Sequence, residues 1–191
     1  MKQTDLAWAA GFIDGEGSIR IRRIPMPKHA TPIFYGLALT AAQVGRAPLD
    51  KLQRLFGGAI NLKQPSSRQG PNAAPYYSWM VTGHTAAAAI QAVRPYLVLK
   101  GEQATLGLEF QTHTGRSRGG RRALTAGEIA LREKYFERMA YLNLRLVARR
   151  AAAETKSTGT LSTTTSCDSP VCIDSKDAEG DRNDRPAKPV H

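Results

Sequence analysis

Apolar and polar residues alternate along this chain with two different periods, and the points where the period changes mark out an ordered series of elements. Residues 6–13 are almost wholly apolar. That stretch suits a short helix, which Thr4 or Asp5 can cap and which ends near Gly15. Residues 18–24 then alternate, with Ile19 and Ile21 on one side and Ser18, Arg20 and Arg22 on the other. This pattern predicts a half-buried strand with a basic outer face. Pro25, Pro27 and Pro32 mark a loop, and residues 34–43 read as a second strand. Residues 47–56 turn Leu49, Leu52, Leu55 and Phe56 to one helical face, and Gly57-Gly58 stops that helix. A short strand over 59–63, a polar loop around Gly70 and Pro71, and a strand over 76–81 follow.

The second half is helical. Residues 85–97 are Ala-rich, 102–111 continue as helix, and 113–122 form a Gly/Arg loop. Thr125 and Glu128 make a capping-box pattern that starts a helix reaching about residue 150, with Leu131, Tyr135, Leu142 and Leu146 on one face. The order predicts an α+β fold of αββαββα type: an antiparallel four-stranded sheet with helices on one face and basic residues left on the other. From residue 155 the chain becomes Ser/Thr-rich and polar. We read 1–154 as a single domain and 155–191 as a disordered tail.

Charge sharpens this picture. The 191 residues carry a formal net charge of +11. Residues 155–191 hold five basic and six acidic residues, so the excess lies wholly in the predicted domain. Between Gly17 and Gly101 a single acid, Asp50, faces eleven Lys and Arg. Such a surface attracts polyanions, nucleic acid first among them. No apolar run approaches the ~20 residues of a membrane helix. Asp14 and Glu16 close the N-terminal apolar stretch, and no export-type cleavage site follows. Cys167 and Cys172 read as two free thiols in the tail rather than as a scaffold.

The segment Ala9-Ala10-Gly11-Phe12-Ile13-Asp14-Gly15-Glu16-Gly17-Ser18 carries the chemistry. Ala7, Gly11 and Gly15 recur every four residues, so one stripe of the first helix has almost no side chain and admits a second helix closely. Two carboxylates follow near a helix C-terminus, where the macrodipole is already negative. A hard divalent cation with oxygen ligands would balance them.

This segment resembles the signature of the LAGLIDADG homing endonucleases. Phe56-Gly57-Gly58, Tyr77-x-Trp79, Arg94-Pro95-Tyr96-Leu97-x-Leu99-Lys100-x-x-Gln103-Ala104 and Leu108-Glu109-Phe110 are similar to later landmarks of that family, so the likeness covers roughly residues 5–112. It implies a metal site at Glu16 with Gly15 beside it, glutamate replacing the family's more usual aspartate. The cofactor implied is Mg²⁺, or another divalent ion such as Mn²⁺. Asp14 would brace the motif turn. Lys100 resembles the basic residue beside the scissile phosphate, Gln43 the polar residue that orders water, and Arg46 a second cation. With only one motif copy, the resemblance implies a homodimer joined through Ala7, Gly11 and Gly15 on a long pseudo-palindromic duplex. Ser18, Arg20, Arg22, Thr40, Asn61 and Lys63 have the strand parity to read that duplex. Arg116, Arg118, Arg121 and Arg122 would touch phosphates or form a linker.

The function expected is therefore metal-dependent, site-specific hydrolysis of double-stranded DNA. Two alternatives stand beside it: an RNA-binding intron maturase, because phosphate attraction does not distinguish RNA from DNA, and a DNA-binding protein of the same fold that no longer cuts.

Overall fold

The computed structural model describes residues 1–29, 32–65, 74–114 and 123–158, with side chains described as far as residue 148. The elements run α1 (Gln3–Glu16), β1 (Gly17–Pro25), β2 (Ile33–Gln43), α2 (Ala47–Phe56), β3 (Ala59–Lys63), β4 (Tyr76–Thr82), α3 (Gly83–Val93), a 3-10 turn (Arg94–Tyr96), α4 (Gly101–Thr114) and α5 (Ala126–Thr158). The four strands form one antiparallel sheet in the order β1-β2-β4-β3. The α+β architecture expected from the alternating periods is the one observed.

Parity assigns the two faces of the sheet. Ile19, Ile21, Tyr35, Leu37, Leu39, Ala41, Trp79 and Val81 point to the helices and are buried. They meet Ala9, Ala10 and Ile13 of α1, Leu49 and Leu52 of α2, Ile90 and Val93 of α3, Phe110 of α4 and Met139 of α5 in one core. Each fully buried Leu or Ile side chain contributes roughly 1.5–3 kcal/mol by leaving water. Gly107 lets α4 lie close on the sheet, since a Cβ there would stand 2.9 Å from Leu37 Cδ1. The Gly57-Gly58 turn is held by Trp79, whose Nε1 donates to the Gly57 carbonyl at 2.8 Å. Gly58 has φ +91°, and a Cβ there would lie 2.6 Å from the Met80 carbonyl oxygen. Only glycine fits that position.

Four details differ from the sequence reading. α1 begins at Gln3 with Lys2 at its N-cap and no side-chain cap. Thr4 and Asp5 lie inside its first turn, and Asp5 instead pairs with Lys51 of α2 at 3.1 Å. α3 stops at Val93 because Pro95, lacking an N–H, cannot extend the α-helical ladder, and a 3-10 turn follows. α5 does start at the Thr125–Glu128 capping box: the Thr125 N–H donates to Glu128 Oε2 at 2.7 Å and the Glu128 N–H to Thr125 Oγ at 3.2 Å. However, its inward face runs through Arg132, Tyr135, Met139 and Leu142, and Leu131 is exposed.

Arg132 takes the inner position because its guanidinium donates to the carbonyls of Glu128 and Thr114, at 3.1 and 3.4 Å. It thereby caps the C-terminal end of α4. Burial lowers its pKa from the usual guanidinium value, while Glu128 acts in the opposite direction. α5 continues past the expected end near residue 150 to Thr158. The Gly70/Pro71 loop, Arg116, Arg118, Arg121, Arg122, Cys167 and Cys172 lie outside the described residues.

Candidate active site and nucleic-acid interface

α1 ends as β1 begins, and the motif lies on that junction. Ile13 and Asp14 are buried, whereas Gly15 and Glu16 are exposed. The switch from helix to strand needs Gly17 for space alone: its φ of −91° suits any residue, but a Cβ would lie 2.7 Å from the Ile13 carbonyl oxygen and 2.8 Å from Ile13 Cα. The chain can turn here only without a side chain.

Asp14 does not face solvent. Its Oδ2 accepts the backbone N–H groups of Val98 (2.7 Å) and Leu99 (3.1 Å), and its Oδ1 accepts that of Lys100 (3.0 Å). These are donors just ahead of α4 that would otherwise lack partners. Lys100 is itself buried, at 3% exposure. Its Nζ donates to the carbonyls of Ile13 (2.8 Å) and Asp14 (2.6 Å) at the end of α1. A carboxylate at the C-terminal end of α1 is disfavoured by that helix's dipole, but here it reaches the favourable N-terminal end of α4. The ammonium likewise reaches the negative end of α1.

Glu16 extends from the same junction, exposed and without a hydrogen bond or ion pair among the described residues. Its free carboxylate oxygens are the ligand type that Mg²⁺ and Mn²⁺ prefer. Among the described residues no cluster of three or more His, Cys, Asp or Glu side chains could hold a metal ion. Among the described residues the junction offers an ion one exposed side-chain carboxylate, with the backbone of Gly15 beside it. Oxygen donors of this kind suit a hard divalent ion, but the described side chains do not close a cage around one.

Gln43 ends β2 opposite Tyr77, two residues beyond the Gly17–Ala41 pair and hence on the side of the sheet where α1 ends. Its Oε1 accepts the Val44 N–H at 3.1 Å. Arg46, at the start of α2, pairs with Asp50 at 3.0 Å and lies 5.8 Å from the ring centre of Tyr77, the residue opposite Gln43. Ala7, Gly11 and Gly15 are all exposed on α1, and a Cβ at Gly11 or Gly15 would meet nothing within 4 Å.

The other face of the sheet carries the polar strand residues in register. Ser18, Thr40, Met80 and Ala59 form one row; Arg20, Ala38 and Thr82 form the next; Arg22 is opposite Gly36. Toward β3, Ser78 pairs with Asn61 and Tyr76 with Lys63. The sheet thus brings Ser18, Arg20, Arg22, Thr40, Asn61 and Lys63 to one side, four strands wide. Thr40 is the exception in accessibility: it is 7% exposed between Ser18 and Met80, and its hydroxyl donates to the Ser18 carbonyl at 3.4 Å. Its side chain packs into the sheet surface.

Sequence reasoning did not single out the β4 members of this face, Tyr76, Ser78 and Met80. Alternation with the buried Trp79 was the available signal. Met80 is also contacted by Arg22, whose Nη1 lies 3.8 Å from its Sδ.

No protein-family model and no curated protein matches the sequence. Solved structures do match in fold. The homing endonuclease I-CvuI in complex with its target, in the presence of calcium, superposes with a TM-score of 0.61 at 20% identity, over 73% of this chain and 82% of that one. The archaeal intron-encoded homing endonuclease I-Vdi141I complexed with DNA gives 0.59 at 15% identity, over 74% and 86%. The LAGLIDADG meganuclease I-AabMI bound to uncleaved DNA gives 0.53 at 16% identity, over 69% and 45%. The junction of α1 and β1 and the sheet built out from it therefore belong to an architecture already seen on DNA: the chain has the fold of the LAGLIDADG homing endonucleases.

Proposed function

We propose that this protein is a site-specific endonuclease that binds duplex DNA on the open face of its sheet and hydrolyses one phosphodiester per strand, as a homodimer. The observation that carries the reading is the place of Glu16, a free carboxylate at the point where α1 meets the first strand of a basic, helix-free sheet face. Phosphates drawn to Arg20, Arg22 and Lys63 come to lie beside that carboxylate. The solved neighbours named above, all three with DNA bound and two of them named homing endonucleases, support the same reading by analogy of fold.

Glu16, with Gly15 beside it, would hold Mg²⁺ or Mn²⁺. Such an ion supplies an activated water and stabilises the leaving oxygen. The rest falls to this chain. Asp14 and Lys100 fix the end of α1 so that Glu16 has one position. The buried Lys100 ammonium, held on the carbonyls at the end of α1, would contribute positive charge to the junction as a whole without touching the phosphate. Gln43 orders water at the end of β2, and Arg46 adds a cation at the start of α2. Ser18, Arg20, Arg22, Asn61 and Lys63 hold and read the duplex, with Thr40 supporting them. Ala7, Gly11 and Gly15 form the dimer seam, which brings the second Glu16 that the metal site requires.

Glu16→Gln tests the reading, because it keeps shape and removes charge. The assay is a supercoiled plasmid carrying the uninterrupted host locus with Mg²⁺ or EDTA, beside a gel shift on the same DNA. Cutting by the wild type alone, with binding by both proteins, is expected. Binding without cutting by either protein would indicate a binder that no longer cleaves. Preference for intron RNA over the DNA would indicate a maturase.

A further inference from the structure

The outer end of the open face is apolar where its middle is cationic. Ile24 and Phe34 form the cross-strand pair beyond Arg22–Gly36, on the same face as Arg20 and Arg22. Phe34 is 52% exposed. Its ring lies back over Gly36: a Cβ built there would stand 2.7 Å from Phe34 Cε1 and 3.1 Å from Cζ. The absence of a side chain at residue 36 is what lets the ring lie along the strand with its other surface toward solvent. Ile24, Met26 and Pro27 join Phe34 in lining an open apolar hollow, and Lys28 and His29 stand at its border.

Phe34 is not a lone exposed ring: with Ile24, Met26 and Pro27 it makes a contiguous apolar patch on the open face, and such a patch rimmed by polar groups marks an interaction site. We propose that Phe34 and the hollow beside it take the C5-methyl groups of thymines in the major groove, making this end of the face a thymine-selective reader at the outer edge of each half-site. The cations on either side, Arg22 and Lys28, match the phosphates that flank such a base. The methyl is the apolar group a base pair displays in that groove. β1 advances about 3.4 Å per residue, so Ile24 and Phe34 lie about 24 Å from the Gly17 junction. At about 3.4 Å per base pair, the preferred thymines fall about seven base pairs outward from the cut. The inference rests on the open face being the DNA-binding face.

The experiment selects duplexes from a random library with the full-length wild type. It then replaces outer thymines by deoxyuridine, which removes only the methyl. Each methyl lost should weaken wild-type binding about four-fold, by the transfer free energy of one buried carbon. Phe34→Ala should bind thymine and deoxyuridine duplexes equally. Gly36→Ala, which retains the ring but pushes it off the strand, should lose the preference too, and this variant controls for truncation effects at residue 34. Binding of selected duplexes with no thymine preference overturns the inference and leaves the endonuclease reading standing. Failure to bind any duplex overturns both. Self-association that depends on Phe34, with equal affinity for the two duplexes, makes the apolar end a contact between copies and overturns the inference.

Discussion

Asp14 and Lys100 close each other's helices: the carboxylate accepts three N–H groups ahead of α4, and the ammonium donates to two carbonyls at the end of α1. The two residues are 86 positions apart. Their exchange ties the motif helix to α4 at the place from which Glu16 projects. The same pair leaves Val98 and Leu99 with their amides bound and their side chains exposed.

Asp14→Ala should therefore destabilise the domain while leaving its charged surface intact. It strips partners from three N–H groups, and the expected loss is about 2–4 kcal/mol. Urea denaturation checks this as a lower midpoint with an unchanged slope. A loss below about 0.5 kcal/mol would show that the reciprocal caps do not hold the junction.

Gly17→Ala should reduce cleavage more than binding. The added methyl meets the Ile13 backbone at 2.7 and 2.8 Å, so the end of α1 must shift and Glu16 with it. A misplacement on the order of 1 Å at a reacting group costs about a hundred-fold in rate. Single-turnover cleavage beside gel-shift affinity separates the two effects, and equal losses in both would count against a positional cause.

Stability should decline at alkaline pH through two tyrosines. Burial first, and then its hydrogen bond to Glu133, push the Tyr35 phenol above its usual value of 10.0, with Arg23 opposing through its own hydrogen bond. Burial and then Glu109 raise Tyr135. In the unfolded chain both ionise near 10. Their contribution is thus complete below about pH 10 and is lost as pH rises through the folded values, because the unfolded state gives up its protons first. Tyr35→Phe with Tyr135→Phe should flatten the fall above pH 10, read as melting temperature against pH.

Duplex affinity should fall steeply with salt, and each phosphate-contacting cation removed should lower the slope by about one. Arg20 and Lys63, both exposed on the open face, are the positions to change. Anisotropy titrations of Arg20→Ala and Lys63→Ala at several salt concentrations measure it. Unchanged slopes would place the DNA elsewhere.

Ending the chain after Thr158, where α5 stops, should leave folding and affinity nearly unchanged. The residues removed carry four Lys or Arg against six acids. A melting temperature lowered by several degrees, or a ten-fold weaker gel shift, would place part of the functional unit in that segment.

Much of the fold was legible because it rests on local rules. Strict alternation over 18–24 gave β1 and its basic face, and Gly57-Gly58 marked the end of α2 to the residue. The Thr125–Glu128 box gave the start of α5. Where reading failed, a distant partner had intervened. Leu131 looked like an inward position by spacing alone, but Arg132 could be buried once the end of α4 supplied a carbonyl 18 residues away. Asp5 looked like a cap, yet Lys51 claimed it.

The candidate site divides the same way. By itself the sequence determined the motif, the two acids at its end, and the parity of Arg20, Arg22, Asn61 and Lys63, because helix and strand periods are properties of the backbone. Tertiary structure alone decided that those parities from two strands at opposite edges of the sheet fall on one face, since antiparallel register is set by pairing between segments far apart in the chain. It also decided that Asp14 and Lys100 are turned inward onto each other's helix ends while Glu16 is left outside. Two helix termini that meet in space must satisfy their open N–H and carbonyl groups with whatever side chains packing brings there, and no local pattern in the chain encodes that meeting.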